Sequence, residues 1–331
     1  MASIVLGMGV SHTPLLALTV DQWQRRSEVD YANKGLNHSD GRLVTYEQLL
    51  AEVGPRYAEE VNFETFSQKS KACDQSLDHL GDVLAQVAPD VVVIVGDDQR
   101  ELFTSANQPA IAIYHGERFI TSNKYGHPDS PEWIQQMGRG YLMDDLHTVG
   151  ASSELALALI ERLIDADFDV GACSHVAHPE NAGFGHAYGF IIKRLFRGKA
   201  IPVLPVLLNT YYGPNVPSAR RCHDFGLALG QALRDCPQNL RVAVVASGGL
   251  SHFIVDEALD QTILSALQSG DHQALRDLPR GALNSGSSEI LNWVVTAGAV
   301  KALPLTWHRY HSLRRTPAGT GVGAAFAVWL A

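Results

Sequence analysis

The sequence predicts an α/β sandwich: a central mixed, largely parallel sheet flanked by helices, with a helical insertion near the N-terminus. Three observations carry that expectation. Short apolar runs without alternation, above all Val91-Val92-Val93-Ile94-Val95, read as strands buried on both faces. Longer segments of helical periodicity separate these runs, as parallel pairing requires. Several runs also end in glycine or a loop followed at once by polar residues, and the carboxyl ends of strands are where open α/β sheets bind ligands.

Residues 4–9 read as the first strand, and Val10-Ser11-His12-Thr13-Pro14 as the loop leaving it, because Pro14 stops the strand. Residues 20–88 are more polar and helical: a first segment over 20–34 broken at Gly35, a loop Asn37-His38-Ser39-Asp40-Gly41, and a helix opened by the capping box Thr45 with Gln48. A long helix follows over 63–87, ended by Pro89. No Pro/Ser/Gly-rich linker brackets this block, so it reads as a helical insertion within one domain spanning 1–331.

The valine-rich strand ends in Gly96-Asp97-Asp98-Gln99-Arg100-Glu101. Asp97 and Asp98 read as caps of the next segment, as site-facing polar groups, or as both. Residues 110–114 form a further strand, and 116–150 read as an irregular, functional loop. Ser152-Ser153 open a helix to 164, followed by a strand over 170–174. A Gly-rich loop with three histidines, His175, His178 and His186, then runs from His175 to Tyr188; without a helix to align them, His175 and His178 make a poor zinc pair. Pro202 and Pro205 assign the strand over 201–208 to a sheet edge or an irregular course.

An amphipathic helix over 218–233 precedes the strand Val242-Ala243-Val244-Val245-Ala246. That strand leads into Gly248-Gly249-Leu250-Ser251-His252, where two glycines permit a sharp turn and deliver a histidine at the strand's carboxyl end. A helix over 256–267 follows, and Gly286-Ser287-Ser288 caps an apolar helix with Glu289 in its first turn. Glu289 there is either a carboxylate favoured by the helix dipole or a metal ligand on a rigid element. Residues 303–310 and a Gly-rich strand over 319–329 close the chain.

Composition sets bounds on function. The 331 residues, 46% hydrophobic and 18% charged, suffice for a large core, and a formal net charge of -9 speaks against a phosphate-backbone binder. No apolar run approaches the about 20 residues of a membrane helix. The N-terminus lacks the basic region of a signal peptide, and the four cysteines form no Cys-x-x-Cys pair. A cytoplasmic protein that binds neither nucleic acid nor membrane is expected.

These strand-end motifs resemble the class III extradiol ring-cleavage dioxygenases of the LigB type, the family of the protocatechuate 4,5-dioxygenase catalytic subunit. The resemblance rests on Ser11-His12-Thr13-Pro14, the valine-rich strand with Gly96-Asp97-Asp98-Gln99, Gly185-His186-Ala187, Gly248-Gly249-Leu250-Ser251-His252 and Gly286-Ser287-Ser288-Glu289-Ile290-Leu291-Asn292-Trp293. It implies a non-haem Fe(II) enzyme of aromatic catabolism acting on a catecholic substrate, protocatechuate-, gallate- or methoxycatechol-like, with dioxygen. It further implies His12 and Glu289 as metal ligands, His252 as the acid/base histidine, His186 as the histidine assisting proton transfer, and a homodimer or other homo-oligomer.

One position departs from the family. Where the family places its second histidine ligand, this chain has Gln99, whose amide oxygen is a poorer donor to Fe(II). Gln99 binds weakly in its place, His38 or Glu101 substitutes for it, or the site holds no catalytic iron. Two rival functions follow: a hydrolase or isomerase with altered or absent metal that uses His252 as base, and a non-catalytic partner subunit. No substrate-binding cation can be assigned from sequence; Arg314 and Arg315, near the last strand, are the candidates.

Overall fold

A computed structural model describes residues Met1–Ala331. The first half of the chain runs β1 (Ser3–Val10), α1 (Trp23–Tyr31), β2 (Leu36–Asn37), β3 (Leu43–Val44), α2 (Tyr46–Val53), α3 (Phe63–Val87), β4 (Val91–Asp97), β5 (Ile111–Tyr114), β6 (Arg118–Ile120), α4 (Glu132–Tyr141), β7 (Thr148–Gly150) and α5 (Ser153–Asp165). The second half runs β8 (Gly171–Cys173), α6 (His186–Leu195), β9 (Val203–Leu208), α7 (Ala219–Asp235), β10 (Arg241–Ser247), α8 (Glu257–Ser269), α9 (His272–Arg276), α10 (Ile290–Ala299), β11 (Leu305–Arg314) and β12 (Gly321–Trp329).

Eight strands form the main sheet in the order β11-β12-β1-β10-β4-β9-β5-β8. β1, β10, β4 and β9 are mutually parallel; β12 is antiparallel to β1, and β5 is antiparallel to β9. The expected mixed, largely parallel sheet is therefore present. Alternation along its strands divides the core. Val91, Val93 and Val95 of β4 face one cluster with α5, α7, α8 and α10, whereas Val92 and Ile94 face a second with α3, α4 and α6. Both faces are covered, which is why these strands read as continuous apolar runs.

Helix boundaries follow local chemistry. Asn62 accepts from the Thr65 N–H at 2.8 Å to start α3, and Phe66, Cys73, Leu77, Leu80 and Leu84 present one buried face along it. Thr45 and Gln48 make the expected capping box at α2.

Four expectations need correction. β9 lies inside the sheet, between β4 and β5, despite Pro205. Its pairing with β5 covers only Val206 to Leu208, so the missing N–H of Pro205 falls beyond that ladder. Residues 116–150 are not irregular: they hold α4 and the antiparallel pair β6/β7. The helical block before β4 also contains the small hairpin β2/β3. The histidine-rich loop after β8 ends at Gly185, and His186 is the first residue of α6.

The chain places β1, moves outward to β4, and later returns to insert β10 between them. The crevice at their carboxyl ends is thus lined by three neighbouring strands. Register finishes the alignment: Val10 pairs with Ser247, and Ala246 pairs with Val95. Residues just past these positions come together.

Candidate active site

His12 leaves β1 and is 2% exposed. Its Nδ1 lies 2.8 Å from Ser247 Oγ, and that hydroxyl donates to the Ala187 carbonyl at 2.6 Å. With its proton committed, Ser247 can only accept from His12, so Nδ1 carries the ring proton and Nε2 keeps a lone pair. Nε2 is buried without a hydrogen-bond partner, 3.4 Å from Glu289 Oε2. Tyr141 donates to the His12 carbonyl at 2.7 Å and fixes the backbone there.

Glu289 closes a short 3₁₀ turn, Ser285–Glu289, that runs directly into α10. Gly249 N–H donates to its Oε2 at 2.8 Å, and His252 Nε2 lies 3.3 Å from its Oε1. A side chain at Gly248 would crowd Glu289 Cβ at 2.9 Å, which explains one of the two glycines in that turn. Burial pushes the Glu289 carboxyl up, but His252 opposes it and the group is held well below the usual carboxylate range.

Asp97, the last residue of β4, is 1% exposed. Burial and the neighbouring Glu289 charge raise its pKa. Asp98 is the cap: its two oxygens accept from Leu102 and Phe103 N–H at 2.8 and 3.1 Å. Gln99 donates through Nε2 to Asp97 Oδ2 at 2.9 Å and to Glu289 Oε1 at 3.4 Å. Its amide nitrogen is therefore turned toward the two carboxylates. Asn292, one turn along α10, donates to Ser247 O at 2.8 Å and Asp97 Oδ1 at 3.3 Å.

His186 Nδ1 lies 2.7 Å from Glu101 Oε1. Burial lowers its pKa, but the Glu101 charge and hydrogen bond dominate and push it up to about 9. His252 donates through Nδ1 to the Leu250 carbonyl at 2.8 Å, leaving Nε2 directed at Glu289. Burial opposes its protonation and Glu289 favours it, with a net upward shift.

Ligating atoms of His12, Asp97, His186 and Glu289 all lie within 4.8 Å of one another. Two imidazoles and two carboxylates in a buried cleft suit a divalent ion, and three observations fit one. His12 Nε2 has no partner, the two carboxylates are close enough to repel, and Gln99 and Asn292 donors orient Asp97 from outside. With His186 engaged by Glu101, the groups left to face an ion are one imidazole, His12, and two carboxylates, Asp97 and Glu289, a nitrogen and oxygen donor set that suits a divalent first-row metal.

A cavity of about 160 Å³ opens beside this cluster, lined by His12, Gln99, Glu101, His186, His252 and Glu289 together with Tyr125, Tyr141, Tyr211 and Phe253. A void on the order of 150 Å³ holds a benzene ring. Of the proposed substitutes for the family histidine, Glu101 is taken up by His186, and His38 faces Glu52 at 3.3 Å, outside the cluster. His175 and His178 are exposed. Arg315 lines the cavity, whereas Arg314 pairs with Glu60 and Glu257. Sequence reasoning left Asp97 open as a cap, a site-facing group or both, without naming it a metal ligand, and passed over Ser247 and Asn292. The only signal of the three is position: Asp97 and Ser247 end strands that deliver other polar groups, and Asn292 stands three residues after Glu289.

Comparison with known proteins bears on this geometry. A 2,3-dihydroxyphenylpropionate/2,3-dihydroxicinnamic acid 1,2-dioxygenase of Comamonas testosteroni is 25% identical over 181 residues, 55% of this chain and 49% of that protein. A gallate dioxygenase of Pseudomonas putida is 27% identical over 189 residues, 54% of this chain and 53% of that protein. The matches span about half the length of these curated relatives. The profile of the catalytic LigB subunit of aromatic ring-opening dioxygenase matches residues 61–326, most of the chain. With that match and this strand-end cluster, the chain belongs to the LigB family.

Proposed function

We propose that this chain is an Fe(II)-dependent extradiol dioxygenase that opens the ring of a catecholic substrate with dioxygen, the whole chain acting as one catalytic domain. One observation carries the reading: His12 Nε2, its tautomer fixed by Ser247, is left buried and unpartnered against Glu289 within a four-group cluster. His12, Glu289 and Asp97 would hold the ion, with Asp97 taking the place that Gln99 cannot fill well. The ion, when bound, supplies Lewis acidity toward two adjacent ring oxygens and a position for dioxygen.

The chain's own residues then manage position and protons. Tyr125, Tyr141, Tyr211 and Phe253 enclose a single ring and exclude water. His252 keeps its Nδ1 proton on Leu250 O, so once Glu289 is engaged as a ligand and no longer holds a proton on Nε2, that atom would accept a catechol proton. His186 is held protonated by Glu101 and would donate a proton into the cavity from the nitrogen that Glu101 does not use.

Protein loaded with Fe(II) under argon and then given oxygen with a panel of catechols should consume dioxygen and form the yellow ring-opened chromophore. Catechols that bind without either signal would overturn the proposal. Stoichiometric zinc in protein as purified would favour hydrolytic chemistry instead.

A further inference from the structure

Three cations line the cavity: Arg26, Lys124 and Arg315. They differ in how far they are already neutralised. Arg315 is taken up by Asp30, donating Nε to Oδ2 at 2.6 Å and Nη2 to Oδ1 at 2.9 Å. Lys124 is exposed, its ammonium 5.7 Å from the Tyr125 ring centroid. Arg26 is half-buried, and its Nε is buried with no hydrogen-bond partner. Desolvation and the adjacent Arg315 lower its pKa, with Asp30 opposing only in part. A desolvated guanidinium beside a like charge, with a free donor, is costly unless an anion arrives.

Sequence places it there deliberately enough to trace. α1 buries Trp23, Ser27 and Asp30, and Arg26, one turn from Trp23 and from Asp30, shares that inward face. Ser27 Oγ donates to the Arg315 carbonyl at 2.6 Å, so α1 is pinned against the cavity wall. Arg26 also lies outside residues 61–326, the stretch matched by the family profile. Charge matching within the cavity leaves the same remainder. Glu101 is matched by His186, Asp30 by Arg315, and Asp97 with Glu289 would be matched by a divalent ion; Arg26 and Lys124 have no counterpart, and of the two only Arg26 is withdrawn from solvent.

We infer that Arg26 is a specificity-determining residue: it would pair with an acidic group on the substrate ring and discriminate such catechols from their neutral counterparts. This deepens the dioxygenase reading and rests on it. A planar carboxylate suits the guanidinium's parallel donors, and a single ring with one such group suits a cavity of about 160 Å³.

The test is equilibrium binding under argon of two probes, 3,4-dihydroxybenzoate and its methyl ester, to the metal-loaded full chain. The acid should bind roughly 10- to 100-fold more tightly than the ester. Arg26→Met should collapse that ratio toward one, Arg26→Lys should retain part of it, and Lys124→Met should leave most of it. The ratio is the readout, so a general loss of binding does not imitate the result; thermal melting of each variant confirms folding. Equal binding of acid and ester by the native protein, or a ratio that survives Arg26→Met or disappears with Lys124→Met, would overturn the inference. Binding of both probes without ring opening would instead sink the dioxygenase reading and leave the Arg26 ratio to be judged on its own.

Discussion

His12 carries its proton on Nδ1 because the Ser247 hydroxyl, which donates to Ala187 O, has only lone pairs left to offer it. Ser247→Ala removes that acceptor and should weaken metal binding roughly 10- to 100-fold, read by chelator competition, without loss of the fold. Asp97 and Gln99 separate equally cleanly. Asp97→Asn should abolish stoichiometric metal, whereas Gln99→Ala should retain it, because the glutamine presents its amide N–H₂ to the carboxylates. Metal lost with Gln99→Ala and kept with Asp97→Asn would reverse the assignment. The histidines around this cavity and Glu289 were legible because each stands in a motif at a strand or helix end. Asp97 was not: Asp98 beside it does cap the following turn, and nothing local says which of two adjacent aspartates turns inward.

At the scale of elements, α1 is tied to the turn between β11 and β12 by a buried pair, Asp30 with Arg315. Asp30 and Arg315 are 1% and 2% exposed, and Thr320 Oγ1 also donates to Asp30 at 2.6 Å. Asp30→Ala strands a buried guanidinium and should cost about 3–5 kcal/mol, seen as a lower denaturation midpoint. A second contact, between α7 and α9, is sensitive to pH. His223 Nε2 lies 2.9 Å from His272 Nδ1, and Arg276 pairs with Asp224 beside it. Burial, then His272 and Arg276, lower the His223 pKa to about 4, with Asp224 opposing and Lys301 adding to the shift. The unfolded chain therefore takes up this proton first as pH falls, and stability is lost between about 6.5, its unfolded value, and about 4. Urea midpoints at pH 7 and 4.5 should differ less in His223→Asn than in the native protein; equal differences would refute this. Helices were readable because burial of one face imposes a period on them, and inner strands because burial of both faces leaves an unbroken apolar run. α4, the β2/β3 hairpin and the interior place of β9 were not, since short loop-borne elements and sheet order depend on distant pairing.

The whole molecule is a platform whose stability lies elsewhere than its site. Clusters of 43 and 35 buried residues occupy the two faces of the sheet, and the polar cluster sits beyond the strand ends. Removing metal should therefore lower the melting temperature while far-UV circular dichroism stays native, and adding it back should restore several kcal/mol at saturating concentration, about 2.7 at a hundredfold excess over Kd. Loss of the circular dichroism signal on chelation would show that the ion holds the fold instead. The α/β class was readable from strand composition and the helical segments between the strands, but the meeting of residue 12 with residue 289 was not. It follows from β10 entering between β1 and β4 and from the register that sets Val10 beside Ser247. The most direct test of that meeting is an anomalous difference map, collected at the iron edge from crystals loaded anaerobically with Fe(II). A single peak bonded to His12 Nε2 and Glu289, with Asp97 as the third protein contact, is the predicted result; iron located elsewhere, or bound without both His12 and Glu289, would contradict it.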